Sequence, residues 1–228
     1  MTDLPSEETL AAVFGDRARL AVAYAEWLAD TGVTAGLIGP REAERLWERH
    51  ILNSAAVAEL IPEGSGVGDL GSGAGLPGIP VAIARPDISM TLIEPLARRV
   101  DPVQKFLEEV GLDVGVVRAR AESSEAREQL APIPVVLSRA VASLDTLARW
   151  SNPLLPVGGM LLAVKGRTAA EELSRTARAL RNEGFDEGEI KVCGATEVGD
   201  GPRIEATVVV VRKLSGPPGA RARRRSRD

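Results

Sequence analysis

Three chemically versatile side chains are nearly missing: the 228 residues hold one cysteine, one histidine and one tyrosine. Cys193 has no second cysteine to pair with in the chain, which fits a reducing compartment. With His50 as the only histidine, the dense His/Cys spacing of zinc sites is absent and no metal is expected. Aromatic residues make up 3% of a composition that is 44% hydrophobic, so a core must rest on Leu, Val, Ile and Ala. No apolar run approaches the ~18–20 residues of a membrane-spanning helix. The opening MTDLPSEETL is acidic and lacks the basic-then-apolar order of a secretion signal. Together these point to a soluble, cytoplasmic protein with no membrane partner.

Charge is uneven. The net value is −4, yet Arg221–Asp228 hold five arginines and one aspartate, leaving the body at −8. A basic tail on an acidic body can engage a polyanion. Following SGPPGA, it also reads as a solvated, flexible terminus.

Two kinds of pattern follow one another. Residues 7–30 place Leu10, Val13, Phe14, Leu20, Val22, Tyr24, Trp27 and Leu28 at helical spacing. Thr31–Pro40 is turn-rich, and Pro40 suits the first position of a helix running to Ile61. From Gly66 the pattern alternates. Strands are expected at Gly66–Leu70, Ser89–Ile93, Val114–Val117, Val135–Leu137, Met160–Val164, Ile190–Cys193 and Ile204–Val211. Helices are expected near 79–84, 101–110, 122–130, 144–150 and 169–183. The last two strands lack a helix between them, so they read as an antiparallel hairpin. The fold class is therefore α/β: a seven-stranded, mostly parallel, Rossmann-like sheet with a helical N-terminal extension. Its ligand belongs beyond the carboxyl ends of the strands, beside the first.

There the sequence reads GDLGSGAGLPG, residues 68–78. Gly73-Ala-Gly75-Leu-Pro-Gly78 matches the dinucleotide string G-x-G-x-x-G, but the register is off. Gly71 is the first loop glycine, and the sixth position from it is Leu76. An acid two residues before the loop, Asp69, is unfavourable to a pyrophosphate. Two such charges at 4 Å cost ~1 kcal/mol even in water. S-adenosylmethionine has no phosphate and carries a sulfonium and an ammonium. The pattern D-x-G-x-G-x-G at Asp69, Gly71, Gly73 and Gly75 suits that cofactor. Glu94, ending the second strand, can accept both hydroxyls of a ribose, a role NAD enzymes share. The reading is a class I S-adenosylmethionine-dependent methyltransferase.

Target chemistry narrows by residue type. Cytosine C5 requires a cysteine adduct, and Cys193 sits in a late strand and reads as a small buried hydrophobe. Adenine amines are usually handled by an Asn/Asp-Pro-Pro-aromatic loop after strand four, where this chain reads SRAVASL. Arg139 at that strand end offers a planar fork suited to guanine O6 and N7 or to phosphate. Guanine N7 has a free lone pair, so its methylation needs no general base.

ERHILNS (48–54), DLGSGAGLPGIP (69–80), RPD (85–87), IEPLARRV (93–100), SRAVASL (138–144) and LAVKG (162–166) occur in this order. In that respect the chain resembles the ribosomal RNA small subunit methyltransferase G family, also called glucose-inhibited division protein B, over roughly residues 10–212, in a form similar to that of high-GC actinobacteria. The resemblance implies methylation of guanine N7 in the 530 loop of 16S ribosomal RNA, with S-adenosylmethionine as donor. It implies cofactor contacts from Gly71, Leu76, Ala121 and Glu122, and a place for Arg139 near cofactor and guanine. Arg49, His50 and Lys165 are implied on the RNA-facing side. Each also has a plainer reading: Leu76 as packing, Arg49 as a paired surface cation, His50 as a core or capping histidine, Lys165 as a solvated strand-end charge. Departures from the family pattern are Asp101–Lys105 before Phe106-Leu107, where Asp101-Pro102 could cap a restarted helix, Asn53 in place of an acid, and WLADTGVTAGLIG upstream. The implied partner is 16S RNA or a precursor of the small subunit, and the chain is expected to be a monomer. The implied division is a helical extension over 1–64, the S-adenosylmethionine-binding domain over 65–213 and a flexible basic tail over 214–228. Two alternatives stay open: an NAD-dependent oxidoreductase, from the literal glycine string and Glu94, and a non-catalytic module binding cofactor or RNA.

Overall fold

The computed structural model describes residues 4–130, 132–194 and 205–216. Seven strands form one sheet: β1 (Gly66–Leu70), β2 (Ser89–Ile93), β3 (Gly115–Val117), β4 (Val135–Arg139), β5 (Met160–Lys165), β6 (Glu189–Cys193) and β7 (Ala206–Arg212). Their order is β3-β2-β1-β4-β5-β7-β6. β1 to β5 are parallel to one another, and β7 runs antiparallel to both β5 and β6. The expected hairpin therefore forms, with its second strand inserted next to β5. The Arg-rich tail and Ile204 lie outside the described residues.

Central strands such as VVLSR and MLLAVK are nearly continuous apolar runs because both faces are covered. Alternation sorts the side chains. Val67, Val135, Leu137, Leu162 and Val164 belong to one core cluster, with the N-terminal helices. Leu70, Val136, Leu161 and Ala163 belong to the other. The first face packs against α5 (Gly78–Ala84) and α6 (Ala97–Val110). The second packs against α8 (Leu144–Ser151) and α9 (Ala169–Asn182), while α7 (Ser124–Leu130) follows β3.

The N-terminal helices are more broken than their periodicity predicts. Gly15, at φ +53°, ends α1 (Glu7–Phe14) before α2 (Ala18–Trp27), since a left-handed residue cannot continue a right-handed helix. Pro40 opens α3 (Pro40–Ala43) as expected, but the helix does not run on to Ile61. Arg45, at φ −122° and ψ 32°, interrupts it. Residues 46–52 then wind as a π-helix, 53–55 as α4 (Asn53–Ala55) and 56–60 as a 3-10 turn. The opposite error occurs in α6. Pro102 lies inside one unbroken helix and does not restart it. The missing amide costs one intrahelical bond, while Val100, Val103, Phe106 and Leu107 stay on one buried face. Phe106 meets Trp27 at 4.9 Å and Tyr24 at 5.5 Å between ring centroids, fastening α2 to α6.

Candidate active site

The loop from Leu70 to Gly78 is stitched to its neighbours at both ends. The amides of Gly71 and Ser72 donate to the Ile93 carbonyl at 2.8 and 3.3 Å, fixing the loop to the end of β2. The Gly75 and Leu76 amides donate to the Ser72 carbonyl at 2.7 and 2.9 Å. Gly71 and Gly75 have φ of +71° and +94°, a region that penalises any side chain. A Cβ on Gly71 would stand 2.6 Å from Val141, and one on Gly75 would stand 2.3 Å from Ile79. The Tyr24 hydroxyl, from α2, donates to the Ala74 carbonyl at 2.9 Å. An N-terminal helix thus holds the loop from below. Leu76 is half-buried against the same core.

Two acids flank the loop. Glu94, just past β2, is almost fully buried, and its Oε2 accepts from the Gly73 amide and its Oε1 from Leu96, both at 3.1 Å. Arg99 Nη1 stands 3.6 Å from Oε2. Asp69 does not reach the surface of the loop. Strand alternation turns it to the face of Val67 and Leu137, and it is fully buried beneath the loop. Its Oδ2 accepts from the Gly78 amide at 2.9 Å, while Oδ1 has no partner among the described residues. Burial pushes its carboxyl up to about 7, against the opposing effects of the Gly78 amide and Arg139. Ala121 joins Leu70 and Ile93 in the core cluster at the ends of β1 and β2. Glu122 beside it pairs with Arg120 at 4.0 Å.

S-adenosylmethionine fits what these residues offer. At Gly73 a Cβ would meet only the Gly71 carbonyl, at 3.9 Å, so the loop backbone there stands open to a ligand. Glu94 at the strand end favours a cation over a phosphate, and Asp69, with one oxygen unpartnered, adds negative potential under the loop once it ionises above about pH 7.

The end of β4 joins this cradle to a second surface. Arg139, mostly buried, turns to the N-terminal segment. Its Nη1 donates to Ser54 Oγ at 2.9 Å and the His50 carbonyl at 3.4 Å. Its Nη2 donates to the Arg49 carbonyl at 2.8 Å and His50 Nδ1 at 3.1 Å. Desolvation lowers its pKa, with the charges of Tyr24, Glu42 and Asp69 opposing. Ala140 follows at φ +55°, the one non-glycine residue with positive φ among those described. The side chain of Val141, 38% exposed, then lies over Gly71. Lys165 clamps this loop. Its Nζ donates to the Ala142 carbonyl at 2.9 Å and Glu172 Oε1 at 3.0 Å, and the same Oε1 accepts from the Leu144 amide at 2.8 Å. Lys165 is therefore engaged in the protein, not a solvated strand-end charge.

Beyond the loop opens a cleft of about 810 Å3, bordered by Arg45, Arg49, Asn53, Arg139, Lys165 and Arg167 on its cationic and amide side and by Glu48 and Glu205. Three residues singled out in the sequence, Arg49, Arg139 and Lys165, meet here. Arg45 pairs with Glu48 at 3.1 Å and Arg49 with Glu42 at 3.7 Å. Arg167 has no ion pair among the described residues. His50 is buried against Arg139 and does not line the cleft. Cys193 is fully buried in β6 at the sheet's edge, where burial pushes its thiol up to about 12. Tyr24, Glu42, Val141 and Glu172 lie outside the sequence motifs: Tyr24 acts on Ala74 and Val141 over Gly71 across long separations, Glu172 holds Lys165 and Leu144, and Glu42 holds His50. Only the local helix periodicity of Tyr24 carried any signal.

The model of the GidB family, described as rRNA small subunit methyltransferase G, matches residues 17–198. A protein named ribosomal RNA small subunit methyltransferase G in Mycolicibacterium gilvum is 52% identical over 213 residues, 93% of this chain and 92% of that one. One of the same name in Mycolicibacterium smegmatis is 50% identical over 212 residues, 93% and 88% of the two chains. Among solved structures, an S-adenosylmethionine-dependent O-methyltransferase from Thermotoga maritima superposes with a TM-score of 0.53 at 16% identity, over 72% of this chain and 65% of that one. Aeropyrum pernix fibrillarin, with natively bound S-adenosyl-L-methionine, superposes with a TM-score of 0.51 at 17% identity, over 70% and 76%.

Proposed function

This chain belongs to the rRNA small subunit methyltransferase G family, and from that premise we propose that it methylates N7 of a guanine in 16S ribosomal RNA. S-adenosylmethionine, when bound, supplies an electrophilic methyl group on a sulfonium. The observation that carries the reading is the adjacency of two surfaces across five residues, Arg139–Ser143. On one side lies a glycine cradle flanked by two acids, and on the other a cleft bordered by five basic residues and two acids.

In this reading Gly71, Gly73, Gly75 and Leu76 shape the cradle, and Asp69 adds negative potential beneath it. Glu94 takes the ribose hydroxyls, with Ala121 and Glu122 closing the far side. The bound cofactor would supply the methyl group and leave as a neutral thioether, and N7 would accept it on a lone pair without losing a proton. Alignment is then the main demand on the protein. Arg139 stands at the target guanine. Four of its five N–H groups are taken by residues 49–54, so it offers the base its Nε–H and planar face. Lys165 holds the loop that carries Val141, and Arg49, with Arg45 and Arg167, receives backbone phosphates. Residues 65–213 are the cofactor-binding part and 1–64 a wall of the RNA cleft. Every group named lies in one chain, so a monomer suffices, on naked 16S RNA or on a precursor particle.

Mass analysis of 16S RNA nucleosides from a strain lacking the gene tests this. Loss of one N7-methylguanosine, restored by the gene, is expected. Its persistence, with no second enzyme present, overturns the assignment.

A further inference from the structure

Residues 46–54 contain no group that methyl transfer consumes, yet they surround one guanidinium with four acceptors. An arginine can only donate. His50 Nδ1, 3.1 Å from Arg139 Nη2, must therefore be the unprotonated ring nitrogen. The proton then sits on Nε2, which lies 2.7 Å from Glu42 Oε2. One tautomer alone satisfies both contacts. Burial and the Arg139 charge both lower the pKa of His50, against Glu42, so the ring stays neutral; the His50 hydrogen bond lowers that of Glu42, which stays ionised.

We propose that Glu42 and His50 are positioning residues for the methyl transfer: Glu42 selects the tautomer and ring plane of His50, and His50 fixes the plane of the Arg139 guanidinium at the end of β4. No proton moves in this chain of contacts. Glu42 lies within α3, 8 residues before His50, and Arg139 lies 89 residues after His50. The contacts join the N-terminal segment to the strand end where transfer takes place. The inference rests on the reading of Arg139 as the residue at the target guanine.

Single-turnover and steady-state methylation of 16S RNA by the full chain, with S-adenosylmethionine affinity by calorimetry, tests it. Glu42→Ala frees the tautomer, and kcat should fall between about 10- and 100-fold, the scale of a misplaced reacting group. KM for RNA and cofactor affinity should stay within about threefold. His50→Asn keeps an acceptor at the Nδ1 position, and His50→Gln keeps a donor at the Nε2 position. The first should retain more kcat than the second. In the His50→Asn background no tautomer remains to be set, so Glu42→Ala should then change kcat less than twofold. Effects of Glu42→Ala and His50→Asn that multiply, or a change confined to KM, overturn the proposal. Arg139→Lys with undiminished kcat would instead remove the role given to Arg139. A wild-type chain inactive on 16S RNA would remove the function itself. Circular dichroism and retained cofactor binding separate misfolded variants from mispositioned ones.

Discussion

Asp69→Asn makes the charge state of one buried carboxyl measurable. In the folded chain its pKa stands about 7, raised by burial from 3.8. Between these values the unfolded chain has lost the proton while the folded chain keeps it. Folding then takes up a proton, so stability falls as pH rises through this window and levels off above about 7. At ~1.4 kcal/mol per pKa unit the full contribution approaches ~4 kcal/mol, of which roughly 3 kcal/mol falls between pH 5 and pH 8. Asparagine keeps the shape and an oxygen for the Gly78 amide but does not titrate. It brings an amide with no partner at the Oδ1 position, a penalty of ~1–3 kcal/mol that does not vary with pH. The diagnostic is thus the difference in slope. Urea unfolding followed by circular dichroism, without cofactor, should show the variant gaining roughly 3 kcal/mol on the wild type from pH 5 to pH 8. Parallel curves would mean that Asp69 titrates normally, and the picture of an uncompensated acid beneath the loop would fail.

Gly71→Ala puts a methyl group 2.6 Å from Val141 at φ +71°. Cofactor affinity by calorimetry should drop at least about tenfold, since ~1–2 kcal/mol of backbone strain alone reaches that, and Val141→Ala in the same chain should restore only part. Lys165→Met removes the donor to Ala142 and Glu172. Turnover on 16S RNA should fall about tenfold or more, with cofactor affinity within about threefold, because the loop rather than the cradle loses its support; equal losses in both would refute the clamp. Cys193→Ala should methylate as the wild type does. Cys193 in the folded chain should resist thiol reagents at pH 8 and react once unfolded, as its raised pKa requires.

The strands were legible because buried parallel strands are apolar runs punctuated by glycine and proline, and all seven fall within a few residues of expectation. Strand period also bore on the acids and bases. Asp69 and Arg139 share parity with Val67 and Leu137, which sends both toward the N-terminal helices, while Lys165 shares parity with Ala163 and faces α9. That inference was available from the sequence alone but needs the face occupied by each helix, which local patterns do not give. The glycine loop was readable from spacing. Its support by Tyr24 was not, since the hydroxyl reaches a carbonyl 50 residues away. The breaks at Arg45 and through the π-helical turn of 46–52 also escaped. Helix period there is continuous, and four acceptors around one guanidinium, not propensity, accompany the wider winding.

The long reach of Arg139 has a consequence for how the protein is made. Ser54 receives its hydrogen bond from a residue 85 positions later, and the apolar side of the first helices is covered by α5 and α6, both downstream. During synthesis those helices leave the ribosome well before their cover exists. At about 5–20 residues per second the wait is several seconds, during which Leu46, Ile51 and Leu52 stay open to chaperones or to other nascent chains.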